Sequence, residues 1–160
     1  MIRNIKAADA AAICDIYNYH VLNTVVTFEE EPVSITEMQS RIETITSRHP
    51  WLVYETDGKV AGYAYASQWK ARAAYRHAAE SSIYVAEGYI GRGIGKQLYA
   101  KLIDRLRTQG IHAVIGGAAL PNEASVKLHE ALGFKYVGTF TEVGYKFDKW
   151  IDTGYWELLL

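Results

Sequence analysis

Residues 83–102 read IYVAEGYIGRGIGKQLYAKL. An apolar, β-branched run stops at a segment holding Gly88, Gly91, Gly93 and Gly95, and a helical pattern begins at once. The run from Ser81 to Val85 suits a strand. Leu98, Leu102, Ile103 and Leu106 recur on one helical face, which Gly110 ends. The order strand, glycine loop, helix start makes a βα junction. Glycines let main-chain N–H groups converge without a Cβ in the way, and a helix N-terminus adds the positive end of its dipole. The junction suits a pyrophosphate, with Arg92 and Lys96 as mobile cations, and equally a tight turn with no ligand.

Two phosphate motifs fail. A dinucleotide fingerprint needs G-x-G-x-x-G. Here Gly91, Gly93 and Gly95 run as G-x-G-x-G, with Lys96 at the place of the third glycine. A Walker loop needs G-x-x-x-x-G-K-[ST], whereas Gly95-Lys96 is followed by Gln97 and preceded by Ile90 where the first glycine belongs.

Outward from the junction, the chain reads as β-α-α-β-β-β-α-β-α-β-β. Ile2 to Ile5 is a short strand, and Asp9 can cap a helix running to about Tyr19. Ser34 and Glu37 have capping-box spacing before Met38, Ile42 and Ile45, and Pro50 ends that helix. WLVYE and KVAGYAYAS flank Thr56-Asp57-Gly58, a hairpin signal. Gln68 to His77 is a polar, basic loop. HAVIGGA is a strand, Asn122 can cap a helix from Glu123 to Leu132 stopped by Gly133, and FKYVGTF is a strand. After a loop, Trp150 to Leu159 closes the sheet. This is a mixed α/β fold, expected as one domain over residues 1–160.

The chain has 160 residues, 22% of them charged and 49% hydrophobic, the profile of a folded globular domain. A net charge of −1 gives no general pull toward nucleic acid or anionic lipid. Cys14 is the single cysteine, so no internal disulfide forms, and its neighbours place it on an apolar helix face. The five histidines show no metal-ligand spacing with one another or with Cys14. The segment MIRNIKAADA is too polar for a secretory signal and no apolar run is long enough to span a bilayer, so a cytoplasmic protein is expected.

IYVAEGYIGRGIGKQL resembles the acyl-CoA loop of the GCN5-related N-acetyltransferases, [QR]-x-x-G-x-[GA]. Gly93 and Gly95 match its glycines, and Ile90 departs from the usual Gln or Arg. PNEASVKLHEALGF matches the family's Asn-opened helix closing in L-G-F. Together with VAGYAYASQWKARAAYRHAAESSIYV and VGYKFDKWIDTGYW, these segments resemble the phosphinothricin and methionine sulfoximine acetyltransferase subgroup over essentially the whole chain.

The resemblance implies acetyl-CoA as co-substrate, held by Ile83, Val85, Gly91, Arg92, Gly93, Ile94, Gly95, Lys96, Asn122 and Ser125. It implies Glu80 as general base and Val85 as the main-chain oxyanion donor. His129 stands where many members of the superfamily carry a Tyr facing the departing sulfur, and would protonate the thiolate or assist the base. Phe28, Trp69, Lys70, Arg72, Tyr75, Arg76 and Tyr145 would hold an amino acid analogue, because guanidinium forks suit its acid groups. No metal, membrane or nucleic acid is implied, and a homodimer is. Plainer readings stand beside these: Glu80 as a solvated strand-end carboxylate, His129 as a structural histidine, the basic loop as a solvated surface, and Phe28 and Tyr145 as core filling. No G-x-S-x-G nucleophile elbow occurs, which favours direct attack by an amine. The alternatives are an acetyltransferase of another small amine or a peptide N-terminus, and a non-catalytic acyl-CoA-binding domain.

Overall fold

The structure is a computed structural model describing residues 1–160. Its elements are β1 (Ile2–Asn4), α1 (Ala10–Asn23), α2 (Ile35–Thr46), β2 (Trp51–Thr56), β3 (Lys59–Gln68), β4 (Ala78–Val85), α3 (Ile94–Thr108), β5 (Ala113–Leu120), α4 (Glu123–Ala131), β6 (Lys135–Lys146) and β7 (Lys149–Leu159). The strands form one seven-stranded sheet in the order β1-β2-β3-β4-β5-β7-β6. Only β4 and β5 pair in parallel, which the crossover through α3 requires.

Strand alternation divides the core between the two sheet faces. Trp51, Val53 and Tyr63 pack with Ile13, Ile16, Tyr17, Met38 and Ile42 of α1 and α2. Leu52 and Ala64 pack on the other face with Leu98, Leu102 and Leu106 of α3, where Val126 and Leu128 of α4 also lie. The β2–β3 hairpin turns at Asp57 and Gly58, both at positive φ (51° and 70°), as a two-residue primed turn requires.

Three local expectations are corrected. Asp9 stands at the N-cap of α1 without a side-chain capping bond; its carboxylate accepts instead from Arg3 Nη1 and Nη2 at 2.8 Å each and from Lys6 N–H at 2.7 Å. Ser34 caps α2 through Glu37 N–H at 3.1 Å, but Glu37 turns to Arg41 and does not close the box. The loop expected before Trp150 is strand: β6 runs on to Lys146 and reverses at Phe147 and Asp148, at φ 53° and 57°. A register shift between Phe140 and Gly144 lets β6 continue, with Glu142 N–H donating to Asp152 Oδ1 at 2.7 Å. The turn carries neither Gly nor Asn, and the shift breaks the alternation of the sequence, so neither signals a hairpin.

Candidate active site

The parallel pairing of β4 with β5 covers only Ala78 to Ser81. Beyond Ser81 the two strands part, while β4 stays paired with β3 as far as Val85. Ala86 N–H donates to the Ala61 carbonyl, so the alternate residues Ile83 and Val85 turn their main-chain groups away from β3, toward the gap. The Val85 carbonyl is taken by His20 Nε2 at 3.2 Å. The Val85 N–H has no main-chain acceptor outside the ladder.

The glycine loop follows this free edge. Gly91 and Gly93 sit at φ 81° and 72°, and a Cβ on either would meet nothing within 4 Å, so the surface above them is open. Gly93 is the N-cap of α3 and makes no side-chain cap bond. The N–H groups from Gly91 to Lys96 find no main-chain acceptor. They form an open concavity of donors at a helix start, the arrangement that fits a phosphate. Arg92 is exposed and lies over the Tyr89 ring, 5.0 Å from its centroid, and Lys96 is exposed in the first turn of α3.

A cleft of about 420 Å³ opens at the parting of β4 and β5. It is lined by Glu80, Ser82, Tyr84, Asn122, Ser125 and His129, with Val26, Phe28, Val143 and Tyr155 on the far wall. A larger cleft of about 700 Å³ lies at the β1 edge among Lys6, Glu43 and Arg105, away from the glycine loop and Glu80.

Neighbours on a strand face opposite sides, so Glu80 and Ser81 reach the cleft from different faces of the sheet. Glu80 is half-buried, and desolvation pushes its carboxyl above the usual carboxylate range. Ser81 joins a buried chain of polar groups. Its hydroxyl meets the Tyr99 hydroxyl, which lies 3.1 Å from His129 Nε2. His129 Nδ1 lies 2.7 Å from the Ser125 carbonyl. A carbonyl only accepts, so Nδ1 carries the proton and Nε2 accepts from Tyr99. Burial lowers the His129 pKa, which favours this neutral ring. The ring stacks on Trp156 and fills the space over Gly116, where a Cβ would overlap it.

Asn122 caps α4 by accepting from Ser125 N–H at 3.0 Å. Of the residues expected to hold the acceptor, Phe28 lines the cleft. Trp69 stands edge-on to Tyr155 at 6.0 Å, with Lys70 Nζ 5.4 Å from the Trp69 ring centroid. Arg72, Tyr75 and Arg76 are exposed on the loop beyond Trp69, and Arg76 Nη1 donates to the Ala73 carbonyl at 3.2 Å. Tyr145 lies outside the cleft, exposed, against Trp150. No group of three or more His, Cys, Asp or Glu side chains is placed to hold a metal ion.

Sequence reasoning missed Tyr99, which continues the apolar stripe of α3 beside Leu98 and reads as core. The signal was its hydroxyl, since a Tyr buried on a helix face needs a polar partner. Thr27, Tyr84 and Tyr155 also line the cleft, and no motif marks them.

A donor cradle fit for phosphate follows a freed strand edge, and the cleft beside that edge holds a desolvated carboxylate, an arrangement that suits group transfer from a phosphate-bearing donor. The family described as "Acetyltransferase (GNAT) domain" matches residues 2–154. The chain is 44% identical over 156 residues to a phosphinothricin N-acetyltransferase from Streptomyces viridochromogenes, covering 98% of this chain and 85% of that one. It is 36% identical to an L-methionine sulfoximine/L-methionine sulfone acetyltransferase from Salmonella typhimurium, covering 99% and 94%. The crystal structure of a GNAT superfamily phosphinothricin acetyltransferase from Sinorhizobium meliloti in complex with AcCoA superposes with a TM-score of 0.97 at 40% identity, covering 100% of this chain and 88% of that one. The chain belongs to the GNAT acetyltransferase family.

Proposed function

We propose that the protein acetylates the amino group of a small amino acid analogue, of the phosphinothricin or methionine sulfoximine kind, using acetyl-CoA. The observation that carries this reading is Glu80, half-buried in the cleft where β4 and β5 part, on the strand that leads to the phosphate cradle. The N–H groups of Gly91 to Lys96 hold the pyrophosphate, Arg92 and Lys96 add charge, and Ile83, Val85, Asn122 and Ser125 flank the pantetheine. Acetyl-CoA supplies a thioester carbonyl and a leaving thiolate, which needs no strong acid because a thiol has a pKa of about 8.5.

The amine must arrive unprotonated. With a pKa of about 10.4 for an alkylamine, deprotonation at neutral pH costs roughly 4–5 kcal/mol. Glu80 accepts that proton through one or two waters, and its raised pKa makes it a stronger base than a solvated carboxylate. The Val85 N–H steadies the oxyanion. His129, with both nitrogens engaged, orients Tyr99 and Ser81 on the thiolate side and takes no proton from the amine. Attack is direct: Cys14 is buried between α1 and α2, its thiol donating to the Val33 carbonyl at 2.9 Å. The basic loop of Trp69, Lys70, Arg72, Tyr75 and Arg76 receives the acid groups of the acceptor, with Phe28 as a wall.

The homodimer belongs to the same proposal. Val137, Phe140 and Trp150 of the β6–β7 hairpin are 64%, 63% and 65% exposed, large apolar side chains that a partner copy would cover. A cytoplasmic site, supplied with acetyl-CoA, completes the reading. Thiol release from acetyl-CoA with phosphinothricin, methionine sulfoximine, methionine sulfone and an alanine-started peptide tests it. The expected order puts the free amino acid analogues well above the peptide; release with none of them would leave a non-catalytic acyl-CoA-binding domain.

A further inference from the structure

Lys146 ends β6 and is 1% exposed, yet no carboxylate lies within salt-bridge distance of it. Its ammonium donates to two main-chain carbonyls, Thr24 O and Thr27 O, at 2.8 Å each. Thr24 is the C-cap of α1, so the cation sits at the negative end of that helix dipole. The contact bridges 122 and 119 residues of chain and ties the β6–β7 hairpin to the segment after α1.

That segment forms part of the cleft wall, because Val26, Thr27 and Phe28 line it. The hairpin holds it at a second point. Strand alternation turns Gly144 and Lys146 to one side and Tyr145 to the other. Gly144 is buried beneath Phe28, and a Cβ there would stand 2.5 Å from the ring. Thr27 is fixed from a third side, where its hydroxyl lies 2.8 Å from Tyr17 Oη.

We propose that Lys146 is a positioning residue for the acceptor: with the notch at Gly144, it clasps residues 24–28 against the hairpin and so sets the wall that the amine substrate meets. The inference rests on the reading of this cleft as the acceptor site. A buried ammonium is costly unless its hydrogen bonds are made, and here its partners are the carbonyls of the segment to be fixed. An apolar residue at 146 would leave those carbonyls unpartnered and the segment free to shift. Phe28 would then lose its seat, while Glu80 on β4 and the glycine loop would keep theirs.

The test compares Lys146→Met, Lys146→Arg and Gly144→Ala with wild type. The acceptor is the best one found for the wild-type protein, so an inactive wild type counts against the cleft reading and variant-to-wild-type ratios test the clasp. A misplaced wall weakens acceptor binding, so Lys146→Met is expected to raise the acceptor KM by about ten-fold or more. The acetyl-CoA KM should stay within about two-fold, and amide hydrogen exchange should speed up at residues 24–28 and not in α3. Lys146→Arg should recover part of the KM. Gly144→Ala, which keeps the ammonium and displaces Phe28, should move the acceptor KM in the same direction. An unchanged acceptor KM with unchanged exchange at 24–28 in folded Lys146→Met overturns the proposal. If that variant does not fold, an unchanged acceptor KM in folded Gly144→Ala overturns it.

Discussion

The Tyr99 hydroxyl stands 3.1 Å from His129 Nε2, with Ser81 on its other side, on the face of the sheet opposite Glu80. The other nitrogen of His129 is bound to the Ser125 carbonyl, so the histidine has no free lone pair for an incoming amine. Glu80 and this polar chain are therefore separate groups, on opposite faces of the sheet beside the gap between β4 and β5.

His129→Ala should accordingly lower kcat/KM by about ten-fold, less than a loss of the base, because a thiolate leaves without a strong acid. Tyr99→Phe removes the donor to a buried nitrogen, and the orphaned group should cost about 1–3 kcal/mol of stability. Steady-state kinetics and urea titration check the pair. Tyr99→Phe at wild-type stability would mean that the chain of hydrogen bonds is not made.

In the proposed function the glycine loop binds acetyl-CoA through its main chain. Gly93 sits at φ 72°, a conformation that a β-branched side chain adopts only with strain, and its Cβ would point into the space over the cradle. Gly93→Val should weaken acetyl-CoA binding by about ten-fold or more, and Arg92→Ala, which removes one exposed cation, by a few-fold at most. Calorimetry on both variants checks this ordering.

The basic loop proposed to receive the acceptor's acid groups stands clear of the cleft, with Arg72, Tyr75 and Arg76 exposed. Charge-assisted hydrogen bonds to an anion are worth about 1.5–3 kcal/mol when partly buried. Arg72→Ala or Arg76→Ala should raise the KM for acidic acceptors by about ten-fold and leave that for acetyl-CoA alone. Acceptor KM values equal to wild type for both variants would return the loop to the role of solvated surface.

Burial of Glu80 also has a stability cost with a definite sign. Its folded-state pKa is raised, so the folded protein is penalised once pH rises through that pKa. Glu80→Gln should raise Tm at neutral pH. The gain should vanish below about pH 4, where Glu80 is protonated in both folded and unfolded chains. Thermal scans across this range check the direction.

The element order was legible because β-branched runs, helical stripes and the Asp57-Gly58 turn each carry a local signal. The junction at residues 83–102 was legible for the same reason, and the glycines mark the cradle. What the sequence hid is made by distance. β4 parts from β5 after Ser81 while β5 stays paired with β7 as far as Leu120, and no local pattern records it. Tyr99 and His129 meet across 30 residues, and Lys146 meets Thr24 across 122. The strand from Thr141 to Lys146 was hidden by the register shift that carries it.

The most direct test of the account is the pH dependence of kcat/KM for wild type and Glu80→Gln with the preferred amino acid analogue. Loss of the base should lower kcat/KM by about 10² or more at neutral pH. The deficit should shrink as pH climbs toward the pKa of the amine, because solvent then supplies the unprotonated form. Wild-type kcat/KM for Glu80→Gln across neutral pH would contradict the account and move the base away from β4.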